Sequence, residues 1–132
     1  MSHPYDASYP TPFPVLPVVL RQIDGSARTS PLPALVDSGA DITIAPKALL
    51  TTVGAKEIFS GHLRAHWGGR RPVTVSLVDL EVEGQLLPGI EVVGDEEGQD
   101  VLLGRNALNK LVVLLDGPRR LTEVLDQRPG NM

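Results

Sequence analysis

The chain has 132 residues, 42% hydrophobic and 21% charged, which suits one globular domain and leaves too little length for two cores. A net charge of −4 argues against nucleic acid as the main partner, and the absence of cysteine excludes disulfides, thiolate zinc sites and thiol nucleophiles. Aromatic residues are only 4%, so the core has to come from Val, Leu, Ile and Ala, a composition that favours strands.

Residues 1–13 are rich in Pro, Tyr and Ser and read as a flexible N-terminal arm. They carry no basic region ahead of an apolar stretch, so they do not read as a signal peptide. No apolar run approaches the ~20 residues of a membrane span, and a cytoplasmic protein without a membrane partner is expected. Residues 15–23 are β-branched and apolar, and Asp24-Gly25-Ser26 marks a turn. Residues 27–37 return as a second strand ending at Asp37. Residues 42–45 form another short strand, and Pro46 followed by Lys47-Ala48-Leu49-Leu50 predicts a brief helix closed by Gly54.

Residues 58–83 are again extended, with a break at Trp67-Gly68-Gly69-Arg70 that predicts a hairpin tip. Val73, Val75 and Leu77 share one face, whereas Val78, Leu80 and Val82 share the other. That change of parity implies a bulge or a strand passing from one sheet to another. Glu83-Gly84-Gln85 is a turn, residues 86–93 pair back, and residues 95–99 form an acidic loop. Val101-Leu102-Leu103-Gly104 is a buried strand, and a short helix follows from Arg105. Residues 112–125 make a last hairpin around Asp116-Gly117-Pro118, and residues 127–132 read as a loose tail. Many short strands with regular turns predict an all-β barrel with one or two short helices, in one domain spanning residues 14–126.

The chemistry concentrates in Leu35-Val36-Asp37-Ser38-Gly39-Ala40-Asp41. An apolar strand delivers one carboxyl into a tight turn, and apolar residues resume at Ile42 and Ile44. A carboxyl at the end of a buried strand is costly unless it is satisfied or keeps its proton, which makes Asp37 a candidate for acid–base work. An Asp-Ser-Gly tripeptide also occurs in plain surface turns. Its context here includes a later apolar-apolar-Gly-Arg-Asn run, Leu102-Leu103-Gly104-Arg105-Asn106, leading into a helix.

On these two motifs, over residues 14–125, the chain resembles the retropepsins, the single-domain aspartic proteases of retroviruses and their cellular and bacterial relatives. The resemblance implies a closed acid-protease β-barrel that is active as a homodimer and cuts polypeptides without cofactor or metal. The chain holds one such turn, so two-fold symmetry has to supply the second carboxyl, with Asp37 facing its twin. By the same resemblance Ser38 braces the two turns, and Gly39 lets the backbone approach partner and substrate. Ala40 and Asp41 bind substrate, Asp41 pairs with Arg105, and Trp67, Gly68 and Gly69 form a flap tip that excludes water. The plain alternative for Asp41 and Arg105 is a surface ion pair worth under ~1 kcal/mol. The rival function is an inactive retropepsin-like module for dimerisation or peptide binding by strand addition.

Weaker signals remain. His62 and His66 are four residues apart but lack a third metal ligand, since His3 lies in the arm. Arg64, Arg70 and Arg71 form a basic patch that reads as a solvated loop. The Tyr9-Pro10 and Phe13-Pro14 bonds in the arm are of a kind retropepsins cut, which suggests self-processing.

Overall fold

The computed structural model describes residues 1–64 and 69–130. Its strands are β1 (Ser2–Pro4), β2 (Val15–Arg21), β3 (Leu32–Val36), β4 (Thr43–Pro46), β5 (Lys56–Arg64), β6 (Arg70–Val82), β7 (Gln85–Asp95), β8 (Val101–Leu103), β9 (Val112–Asp116) and β10 (Leu121–Leu125). Helix α1 (Lys47–Val53) follows β4, and α2 (Arg105–Leu108) follows β8. The expected all-β barrel with two short helices is what the chain forms.

Six strands close the barrel in the order β2-β3-β8-β4-β7-β6, with β6 returning to pair β2; β5 adds to β6 outside the ring. Strict alternation builds the interior. Along β2, Leu16, Val18 and Leu20 are sealed while their neighbours are half-exposed. They meet Ala34, Val78, Leu80, Val82, Val92 and Leu103 in one aliphatic core. Leu80 is fully buried, and Leu80→Ala is expected to cost about 2–5 kcal/mol, read as a fall in the urea midpoint without a change of slope.

The parity change in β6 comes from a bulge, the first of the causes the sequence allowed; β6 does not pass to another sheet but stays in the one sheet throughout. The register with β7 shifts between Val78 and Leu80. Around the same point β6 exchanges neighbours: Leu77 and the residues before it pair with β5, and Asp79 to Val82 pair with β2. The Asp79 carboxylate accepts the Gly89 N–H at 2.9 Å across the bulge. The β6–β7 turn puts Glu83 and Gly84 both at positive φ, as a two-residue hairpin of matching twist requires.

Helix α1 ends as predicted, with Gly54 left-handed, its N–H returning to the Thr51 carbonyl and the Ala55 N–H to the Leu50 carbonyl. Pro46 stands at the N-cap, one residue earlier than its expected place at the first helical position, because its carbonyl end is still held in β4.

The N-terminal arm is the clearest departure from expectation. Residues 1–13 do not hang free. Strand β1 pairs antiparallel with β10, the Tyr5 N–H bonds the Arg120 carbonyl, and Asp6 and Phe13 exchange backbone bonds. A side-chain hydrogen bond between His3 and Glu83 pins β1 over the β6–β7 turn. The Ser8 hydroxyl and N–H hold the Asp6 carboxyl below its usual range. Prolines exclude a helix here, but they do not prevent a short strand from capping an edge whose N–H and C=O groups otherwise lack partners.

Candidate active site

Strand β8 is inserted between β3 and β4, parallel to the first and antiparallel to the second. Since β3 and β4 are consecutive, the loop joining them has to arch over the end of β8, and that loop is residues 37–42. Hydrophobic strands thus project one polar loop from the barrel's end.

Asp37 is half-buried at the mouth of β3, and its backbone N–H bonds the Leu103 carbonyl at 3.1 Å. Its Oδ1 accepts the Gly39 N–H at 3.0 Å, and its carbonyl accepts the Ala40 N–H at 3.2 Å. The carboxylate is therefore aimed by its own turn. A side chain at Gly39 would sit 3.2 Å from Asp37 Oδ1. Ser38 and Gly39 are exposed, so the loop tip is open.

Residues 103–106 carry the other half of the site. The Arg105 N–H bonds the Ala40 carbonyl at 2.8 Å, and its guanidinium donates to the Ser38 carbonyl at 2.7 Å. The expected Asp41–Arg105 pair is thus corrected. Among the described residues Arg105 makes no ion pair with Asp41, which is exposed. A carbonyl aimed back from the turn outcompetes a solvated carboxylate as its partner. Arg105 ties α2 to the loop through the Ser38 carbonyl instead.

Two further residues hold the loop, and the sequence reading assigned them no role. Asn106 Oδ1 accepts from the Thr43 N–H at 2.9 Å and from the Thr43 hydroxyl at 2.8 Å, while Asn106 Nδ2 donates to the Glu91 carbonyl at 2.8 Å. The buried Thr43 hydroxyl in turn accepts the Gly104 N–H at 3.2 Å. A threonine inside the apolar run Ile42-Thr43-Ile44-Ala45 was the available signal, because a buried hydroxyl needs a partner. Asn106→Ala leaves the Thr43 N–H unpaired in the barrel wall. The expected cost is about 2–3 kcal/mol in urea unfolding, with Asn106→Asp milder because it keeps the acceptor.

The β5–β6 hairpin pairs out to Arg64 and Arg70, so the predicted hairpin forms. Gly69 lies at its β6 end, while Trp67 and Gly68, like His66 of the weak metal pair, lie outside the described residues. Among the described residues no cluster of three metal-ligating side chains occurs, and no helix is long and apolar enough to cross a membrane. The Phe13-Pro14 bond is locked into the fold. The Phe13 carbonyl accepts from Asp6 and the Pro14 carbonyl from Val36, so neither is free to lie in a cleft as an extended substrate. Tyr9-Pro10 stays in a turn, with the Tyr9 hydroxyl on Asp100. Desolvation first, and Asp100 beside it, raise that phenol above its usual range.

No protein-family model and no curated protein sequence matches the chain. Solved structures do. A simian foamy virus protease aligns at TM-score 0.53 and 23% identity over 72% of this chain and 91% of its own. The EIAV protease, solved with the inhibitor HBY-793, aligns at TM-score 0.58 and 18% identity over 74% and 86%. A retropepsin-like aspartic protease of Rickettsia conorii aligns at TM-score 0.55 and 16% identity over 83% and 90%. The chain has the retropepsin-like fold.

Proposed function

We propose that this chain is an aspartic endopeptidase whose site forms when two copies bring their Asp37 residues face to face. One observation carries the reading. In a retropepsin-like barrel, a lone carboxylate is aimed by the Gly39 N–H at the open tip of a loop that β8 and Arg105 hold rigid. Nothing else in that loop offers acid–base chemistry except the exposed Asp41.

Two carboxyls this close share one proton, as the general account of aspartic proteases has it. The ionised one takes a proton from a water, whose oxygen attacks the peptide carbonyl carbon. The protonated one gives its proton to the carbonyl oxygen. The tetrahedral diol then collapses, the C–N bond breaks, and the amine leaves with a proton from the dyad. Ser38 braces the paired turns, Gly39 and Ala40 lie under the substrate backbone, and Asp41 receives its N–H groups. The β5–β6 hairpin closes over the peptide and excludes water. The substrate is an extended polypeptide, no cofactor or metal takes part, and the cytoplasm is the proposed compartment.

The second reading is an inactive module that grips peptides by strand addition. It draws on β5, an edge strand with Ile58 and Phe59 exposed. A peptide-library digest between pH 4 and 7 separates the two. The protease reading expects cleavage with an acidic optimum, absent from Asp37→Ala. No cleavage by either protein while both bind peptides decides for the module, and equal cleavage by Asp37→Ala removes Asp37 as the catalytic group.

A further inference from the structure

Four residues of the barrel wall form an apolar row outside its core. Val15 stands opposite Leu35, Leu35 opposite Leu102, and Leu102 opposite Ile44, running from β2 across β3 and β8 to β4. Their chain neighbours Leu16, Ala34, Val101, Leu103 and Ala45 belong to the interior cluster, and the four do not. Alternation therefore turns the row to the outer face. The Asp37 N–H continues the β3–β8 ladder to the Leu103 carbonyl, so Asp37, two residues beyond Leu35, shares that face. The row is a floor beside the carboxylate.

The N-terminal arm walls this floor. Phe13 lies two residues before Val15, and its ring meets the Tyr9 ring at 5.4 Å. The Tyr9 hydroxyl donates to Asp100 Oδ2 at 3.2 Å, and Asp100 lies two residues before Leu102. Val15, Leu35, Leu102, Asp100, Tyr9 and Phe13 thus close a circuit, and Asp100 carries its one charge. That carboxylate is exposed, and among the described residues the neutral phenol is its one partner. The acids before it in the same loop are engaged otherwise: Asp95 accepts the Glu97 N–H at 3.0 Å, and Glu96 faces Lys47 at 3.6 Å.

An apolar floor that ends at an unneutralised carboxylate fits a side chain with an apolar stem and a cationic head. Lys or Arg lays its methylenes over Leu35 and Leu102 and brings its charge to the Asp100 oxygen that Tyr9 leaves open. An acidic side chain meets like charge there. Val101 stands opposite Ala34, which sets Asp100 four residues along the strands from Asp37, about 13 Å. Two residues of extended substrate span about 7 Å of that, and a basic side chain covers the rest.

We infer that Asp100, held by Tyr9, selects polypeptides with a Lys or Arg within two positions of the bond that is cut. The inference rests on the protease reading above and names the side chain its site prefers.

The test maps the cuts that the full chain makes in a peptide library at low salt. Lys and Arg within two positions of the cut are expected to be enriched about tenfold over Asp and Glu. Asp100→Asn is expected to bring that ratio close to one. Asp100→Lys is expected to reverse it, which a merely structural residue does not do. Asp24→Lys, in the exposed β2–β3 turn, changes the net charge by the same amount and is expected to keep the wild-type ratio. A wild-type ratio near one, or the same shift from Asp24→Lys as from Asp100→Lys, overturns the inference. A second measurement needs no cleavage. Two labelled peptides, identical but for a central Lys or Glu, are titrated with the Asp37→Asn protein and read by fluorescence anisotropy. The Lys peptide is expected to bind about tenfold tighter, a difference that high salt shrinks and added Asp100→Asn removes. Equal binding of the two peptides overturns the inference. Cleavage without a charge preference removes the inference alone. Charge-dependent binding that responds to Asp100, with no peptide cut, removes the protease reading alone.

Discussion

Asp37→Asn is expected to abolish peptide cleavage, by about 10⁴-fold or more, while leaving the fold intact. The asparagine keeps the shape of the side chain and can still accept the Gly39 N–H through its carbonyl oxygen, as Asp37 Oδ1 does at 3.0 Å. What it loses is the exchangeable proton, and general acid–base transfer by one positioned group alone accounts for roughly 10²–10⁴ in rate. In the proposed homodimer the same substitution removes both partners of the dyad, because each comes from the same position. A mixing experiment gives the sharper outcome. Random pairing of wild type with Asp37→Asn leaves wild-type dimers in proportion to the wild-type fraction. About half of the original cleavage survives an equimolar addition, and about a tenth survives a ninefold excess. Undiminished cleavage in the mixture means that each chain works alone, and the dyad is then wrong.

Gly104→Ala is expected to be the most damaging small change to the structure. Gly104 sits at extended dihedrals, φ −85° and ψ 178°, so its value is not backbone freedom but the absence of a side chain. A Cβ there would lie 2.4 Å from the Ile42 carbonyl carbon, 2.5 Å from its oxygen and 2.8 Å from the Thr43 nitrogen. All three are backbone atoms of the loop that leads into β4, so none can rotate aside. Relief requires β8 to move away from β4, which breaks the Gly104–Thr43 bond and loosens the Asp37–Leu103 bond. Overpacking at the upper end of its usual range plus the lost bonds comes to about 3–4 kcal/mol, or roughly 10 °C in melting temperature for a chain of this size. Gly117→Ala is the control, because a Cβ there meets nothing within 4 Å. A Gly104→Ala protein melting within a degree or two of wild type would mean that the loop does not rest on β8.

The two variants separate the parts of the site. Asp37 carries the proposed chemistry, and its side chain contributes little to the barrel. Gly104, Thr43 and Asn106 supply position: they form a continuous polar seam from β8 through β4 to β7 beneath the loop that carries the carboxylate. A retropepsin-like site is therefore sensitive to residues that never touch a substrate, since a displacement of an ångström in the loop changes the distance between two carboxyls.

Much of this was legible in the chain because it follows from local rules. The β-branched run of β2, the parity break between Leu77 and Val78, and the Gly54 stop each reflect side-chain period or backbone dihedral preference, which neighbours in sequence determine. Asp37 stood out as a carboxyl at the end of an apolar strand, while the Gly104-Arg105-Asn106 run was recognisable through its resemblance to a retropepsin motif. Tertiary structure alone decided what was paired across distance. Met1 and the twelve residues after it look unattached until the free edge of β10 meets them. Arg105 has a choice of acceptors, and the arch of the loop over β8 puts the Ser38 carbonyl, not Asp41, within its reach. Thr43 and Asn106, 63 residues apart, acquire a purpose only when β8 slides between β3 and β4. Composition and period dictate which faces are buried; which polar groups then find one another depends on the order of strands around the barrel, and that order is a property of the closed ring rather than of any segment in it.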